Sequence, residues 1–197
     1  MKKLSLLVLL LIAGVSCTFA QFAPVQKRAH VGFTTDLNVS TINADGFTSK
    51  PGFALGFKGD VLFSDYVYMN YGLQWSMKGW KLEDITATAH YMNLPIHVGG
   101  RYAFGYDRVA AVFVDFGPFI AVGLGGKESA SGYHNDYFGN TNKGYANVFD
   151  AGLGFTVGFQ YRFIDIHLGY DFGLVEVYKA SDSPKTRNFY VGLGFMF

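Results

Sequence analysis

Cysteine is nearly absent from this 197-residue chain: Cys17 stands alone, which excludes a disulfide framework and any cysteine-based metal cluster. Charge is scarce as well. Asp, Glu, Lys and Arg amount to 16%, against roughly 25% in an ordinary soluble domain. A formal net charge of +1 gives a polyanion nothing to hold, so no nucleic-acid partner is expected. Beyond residue 20, no apolar run approaches the roughly twenty residues that a spanning helix needs. Gly-rich phosphate loops, paired glycosidase carboxylates and Cys/His clusters are also missing, so no cofactor and no metal are expected. Aromatic residues (18%) and glycine (25 residues) are what the chain has in plenty.

The N-terminus reads as an export signal over 1–20. Lys2 and Lys3 form a basic head, Leu4 to Val15 an apolar core, and Thr18-Phe19-Ala20 a small-x-small cleavage site before Gln21. The alternative is lipidation at Cys17, since Gly14-Val15-Ser16-Cys17 faintly resembles a lipoprotein site. Cleavage leaves residues 21–197 as one domain. It removes the cysteine and two of 16 basic residues, so 14 face 15 acids for a mature net charge of −1.

Period-two alternation then runs through the mature chain and predicts eight strands: about 29–39, 51–63, 66–79, 89–104, 108–124, 147–163, 165–177 and 189–197. The last is the clearest, with Phe189, Val191, Leu193, Phe195 and Phe197 on one face and Gly192 and Gly194 on the other. Pro95 and Pro118 fall inside strands and are read as bulges. Tight joins at Ser64-Asp65, Gly105-Tyr106-Asp107 and Ile164-Asp165 alternate with long ones at about 40–50, 80–88, 125–146 and 178–186. Short turns on one side and long loops on the other mark an outer-membrane barrel with periplasmic turns. The fold class is therefore all-β: an eight-stranded antiparallel up-and-down transmembrane β-barrel, closed by pairing of the last strand with the first.

A soluble barrel would turn the apolar set inward and leave an outer face unusually poor in Lys and Glu. It would also overfill an eight-stranded interior. Facing that set toward outer-membrane lipid removes both difficulties. Tyr66, Trp75, Trp80, Tyr102, Phe104, Tyr161, Phe163 and Phe197 lie near strand ends and read as interfacial girdles.

The opposite set would fill the lumen. It contains Lys58, Lys78, Arg101 and Arg162 against Asp36, Asp60, Asp115, Asp150 and Asp171, with His97 and His167 nearby. Buried charges need partners, so the expectation is a structural salt-bridge network in a plugged lumen. A proton or ion path is the functional alternative.

Catalytic sets are sparse. The longest loop offers Glu128, Ser129, Ser131, His134 and Asp136, but a Gly/Asn-rich loop holds a nucleophile and base poorly. His90 could approach Ser76 or Asp84, and His134 with Asp136 would make only a weak metal site. Tyr133, His134, Asp136 and Tyr137 are better read as adaptable contacts for an extracellular ligand or protein. Excising 126–144 should then leave the barrel intact.

The segment Tyr91-Met92-Asn93-Leu94-Pro95-Ile96-His97-Val98, the signal ending Ala20-Gln21 and the terminal Gly192-Leu193-Gly194-Phe195-Met196-Phe197 resemble the small outer-membrane β-barrel proteins of Bacteroidota, often labelled porin-family or PorT-like. The family segment runs Tyr-Leu-Glu-Ile-Pro-Leu-Leu, and Asn93 stands here in place of its acid. The resemblance implies that Phe197, with the alternate residues before it, is the signal read by the barrel-assembly machinery. The leading expectation is a non-enzymatic barrel acting structurally or through its loops in recognition or adhesion. The alternatives are a small porin, a lipid A-modifying barrel enzyme and a secretion accessory.

Overall fold

Alternating apolar and small residues put every second side chain on one face of a sheet, and the described residues fold almost wholly into strands. A computed structural model describes residues 29–105, 108–130, 133–138, 146–178 and 184–197. The export signal, Cys17 and the Ala20-Gln21 cleavage site lie outside the described residues. The strands are β1 (Ala29–Ile42), β2 (Phe47–Leu62), β3 (Val67–Leu82), β4 (Ile85–Phe104), β5 (Ala110–Ala130), β6 (Tyr133–Asp136), β7 (Phe149–Tyr161), β8 (Ile164–Glu176) and β9 (Lys185–Met196).

Antiparallel pairing runs from β4 through β3, β2, β1, β9, β8 and β7 to β5, and β4 pairs with β5 to complete the circuit. The result is a closed eight-stranded barrel. At the seam, β1 and β9 pair from Gly32↔Met196 to Ile42↔Thr186. Beyond the last strand residue, the Phe197 amide donates to the Val31 carbonyl at 2.8 Å. The ninth strand, β6, belongs to no wall position of its own. It pairs with the outer end of β5, Lys127↔Asp136 to Ala130↔Tyr133.

Both chain ends of the barrel and the connections β2–β3, β4–β5 and β7–β8 share one end, the periplasmic one. The opposite end differs from expectation. The joins expected at 40–50 and 80–88 are short hairpins, because polar alternation through Lys81, Thr86 and Thr88 continues the strands. β3 and β4 meet at Glu83-Asp84, where Glu83 takes φ 48. Residues 125–130, placed in the longest loop, are the upper rungs of β5, paired with β4 from His90↔Gly125 to Ile85↔Ala130.

The prolines also behave differently. The register sum is unchanged across Pro95 and Pro118: the β3–β4 ladder omits only the pairs facing Leu94 and Pro95, and the β4–β5 ladder those facing Ile96 and His97. A missing N–H thus costs a rung rather than inserting a residue. The real irregularities lie between Ser49 and Ala54, between His90 and Tyr91, and between Phe172 and Glu176.

The apolar set faces outward all the way round, with Phe33, Phe57, Val98, Phe116, Ile166 and Leu193 exposed and Leu37 at 75%. An apolar belt of that extent has lipid as its solvent. Tyr66, Tyr102, Phe104, Tyr161, Phe163 and Phe197 are exposed at the periplasmic end, as a girdle should be. Trp80 is not among them. It points inward and is buried.

Candidate functional site

Inward positions decide what fills the barrel, and their polar members gather in its middle and periplasmic half. Asp165, on β8, is 1% exposed and is the hub. It accepts from Lys58 Nζ of β2 at 2.7 Å and lies 2.6 Å from His167 Nδ1. His167 Nε2 in turn reaches Asp36 of β1 at 3.1 Å, and Asp36 also accepts from Thr34 at 2.8 Å. Three strands are tied across the lumen in this way. The group fits because Gly192 and Gly194 on β9 leave it room: a Cβ at Gly192 would stand 2.1 Å from Asp36 Oδ1, and one at Gly194 2.3 Å from Asp165 Oδ2.

A second group centres on Asp115 of β5, held by His97 Nδ1 at 2.8 Å and by the Tyr68 hydroxyl at 2.5 Å. Nearer the outer end, Asp150 accepts from Thr186 at 2.8 Å and Asp171 from Asn188 at 3.0 Å. Lys78 stands 5.0 Å over the Phe119 ring and 5.7 Å over Tyr91. Its ammonium has no hydrogen-bond partner among the described residues. Asp60 and Arg101 line the periplasmic end, where Asp60 Oδ1 and Arg101 Nη1 likewise lack partners.

Two assignments change. Arg162 does not face the lumen: it sits exposed in the two-residue turn after β7 at φ 53, its guanidinium over the Tyr161 ring. The turn is Arg162-Phe163, so Asp165, expected in a turn, belongs to the inward set of β8. The expected pairing changes with it. Of Lys58, Lys78, Arg101 and Arg162, only Lys58 forms an ion pair among the described residues, and its partner is Asp165. Histidine contacts Asp115 (His97) and both Asp36 and Asp165 (His167), while Asp150 and Asp171 accept from Thr186 and Asn188.

At the outer end the filling becomes apolar. Ile42, Trp80, Ala87, Ala89, Tyr91, Phe119, Ala121, Tyr137, Ala146 and Val177 form one buried cluster. Tyr137 and Phe138, which follow β6, fold back onto it. Trp80 Nε1 donates to the Tyr137 hydroxyl at 3.3 Å, and burial pushes that hydroxyl's pKa up to about 12. Phe138 packs edge-on to Tyr91 with centroids 5.4 Å apart, in the space that a side chain at Gly123 would occupy. Among the described residues, cavities inside the barrel have volumes of about 40, 20 and 10 Å³. They have room for a few waters at most.

The contact residues divide. Tyr137 is 4% exposed and belongs to this cap, so it is not a contact for a ligand. Asp136 is exposed at the foot of the β5–β6 hairpin, and Tyr133 and His134 lie on β6 opposite Ala130 and Ser129. Ser131 lies outside the described residues. His90 stacks on Trp75 on the outer face (5.3 Å, 8°), whereas Ser76 points inward to Asn38, so the two do not meet. Phe189, Val191, Leu193, Phe195 and Phe197 all face outward along the seam strand.

The model of the outer membrane protein beta-barrel domain family matches residues 6–197. The chain belongs to that family. Among solved barrels, this family member is similar to Neisserial surface protein A, at 11% identity over 87% of this chain and 98% of that one, with a TM-score of 0.50. It is also similar to Ail, the attachment invasion locus protein of Yersinia pestis (15% identity, 86% and 99% covered, TM-score 0.47), and to OprG of Pseudomonas aeruginosa (14%, 86% and 95%, 0.46). Identities this low speak to fold alone. No curated protein matches the chain.

Proposed function

We propose that this outer-membrane barrel is non-catalytic and closed to solutes, and that it acts at the cell surface through its β5–β6 hairpin in recognition or adhesion. The observation that carries this is the filling of the lumen. Carboxylates, histidines and Lys58 occupy its middle, and an apolar cap folded back from β6 occupies its outer end. At the outer end β5 and β6 pair from Lys127↔Asp136 to Ala130↔Tyr133, with Asp136, Tyr133 and His134 on the short strand. The charged set Asp36, Lys58, Asp60, Lys78, Arg101, Asp115, Asp150 and Asp171 then serves as a structural core.

Export through the 1–20 signal and recognition of the Phe189–Phe197 strand by the barrel-assembly machinery complete the reading. The Tyr91–Val98 segment supports kinship with the PorT-like barrels of Bacteroidota.

The experiment shortens the hairpin. Replacing residues 128–135 by Asn-Gly keeps the Lys127↔Asp136 rung and the Tyr137-Phe138 cap. Bacteria displaying the native or shortened protein are applied to a glycan array and a panel of matrix proteins, with assembly followed by heat-modifiable migration on gels. Native display should bind one class and the shortened form should lose it while still assembling. Binding that survives the deletion, or a stable ohmic conductance of native protein in planar bilayers, would overturn the proposal.

A further inference from the structure

The outer face of a barrel is convex, and large side chains normally cover it without gaps. This one has a notch. A groove of about 450 Å³ opens on the lipid-facing side of β4, β5 and β7. Tyr66, Tyr102, Val112, Val114 and Val157 form its walls and Gly100 lies between them. Its place is the periplasmic half, since Gly100 pairs with Val67, the first residue of β3.

Gly100 makes the notch, and comparison with other outward glycines shows how. At Gly59 the Tyr71 ring lies over the backbone, within 2.7 Å of where a Cβ would be, and at Gly79 the Lys50 chain does so at 2.8 Å. Over Gly100, the nearest atom to such a Cβ is the Tyr66 carbonyl, at 3.8 Å. Gly125 is similarly open, but it sits at the irregularity beside His90 near the outer end.

We propose that this groove seats one acyl chain of a periplasmic-leaflet phospholipid. The walls are apolar side chains continuous with the lipid belt, so an alkyl chain fits where a polar ligand does not. The mouth carries the other half of a lipid's chemistry. Tyr66 and Tyr102, 60% and 59% exposed, lie where amphipathic rings meet headgroups. Beside Tyr66, Arg108 donates from Nη1 to Asp65 at 3.4 Å; this exposed pair makes the rim of the groove polar and gives it a guanidinium whose fork can also meet a phosphate. Filling the groove replaces a defect in the bilayer's packing around the barrel with van der Waals contact along a chain.

The test uses the full mature barrel in nanodiscs of phosphatidylethanolamine and phosphatidylglycerol doped with a phospholipid that carries a diazirine in one acyl chain. After photolysis, adducts are mapped by mass spectrometry. Adducts at residues 66, 102, 112 and 114 should exceed those at Phe33 and Leu193, across the barrel, by at least about fivefold. Gly100→Leu should fill the notch and bring the ratio to about one, while heat-modifiable migration stays native. Gly100→Val, shorter and suited to a strand, gives the same readout if the leucine variant assembles poorly. Uniform labelling around the belt, or enrichment that persists in both variants, would overturn the proposal. So would cross-links between copies of the protein at this face.

Discussion

Removing one carboxylate should test whether the filled lumen is the structural core of this barrel. Asp165→Ala leaves Lys58 Nζ, now 2.7 Å from its partner, buried with no anion in contact, and frees the His167 nitrogen that lies at 2.6 Å. Breaking a buried ion pair from one side costs about 3–5 kcal/mol, because the surviving charge keeps its desolvation penalty. At roughly 1.4 kcal/mol per tenfold, the folded-to-unfolded ratio should fall by about two to three and a half orders of magnitude. The assay is urea unfolding of the barrel in lipid vesicles, followed by tryptophan emission and by the gel shift. A companion, Lys58→Met with Asp165→Leu, removes both charges and should recover at least half of the loss. A single-variant loss below about 1 kcal/mol would refute the reasoning, since that is the size of a surface pair. So would a double variant no better than the single one.

The cap offers a separate check. Gly123→Val puts a side chain where the Phe138 ring lies, within 2.4 Å of its Cζ. The ring must leave, at a cost of about 1–3 kcal/mol, and external protease should then cut within 131–147 several times faster while the barrel core survives. At the other end, Phe197→Ala should lower the amount of assembled protein in cells severalfold. Refolding of the same variant from urea into detergent should be nearly native, because the Phe197 amide keeps its bond to Val31; equal losses in both assays would make the residue a stability determinant rather than a signal. In planar bilayers, native protein should show no stable ohmic conductance, and Trp80→Ala, which opens the apolar end, should show at most brief openings.

Parity made the barrel legible. Odd and even positions separate lipid-facing from inward residues along each wall strand between its irregularities, and even Asp165 follows the rule, being in phase with His167 and Asp171. In sequence Ile164-Asp165 looks as turn-like as Arg162-Phe163; the positive φ of Arg162 and the pairing of Ile164 and Asp165 with Tyr161 and Gln160 separate them. Strand ends were illegible for a related reason: the wall continues past the apolar belt, where Thr86, Thr88 and Lys81 give the alternation no hydrophobic contrast. The partners of the buried charges were out of reach altogether. Lys58 and Asp165 stand 107 positions apart, and their meeting depends on which strands face each other across a closed circle. The cap escaped because Tyr137 and Phe138 follow a Gly/Asn-rich stretch whose composition reads as solvated loop.

The seam between β1 and β9 has a consequence for timing. Gly32 pairs with Met196, so the circle joins the first and last strands of the chain. Without β9 the circle stays open, and β1 and β8 each keep an unpaired edge. Such distant pairing is slow to find. Until those two strands meet, the wall is an open ribbon with two exposed edges. Closure is thus one long-range event, and it removes both edges at once.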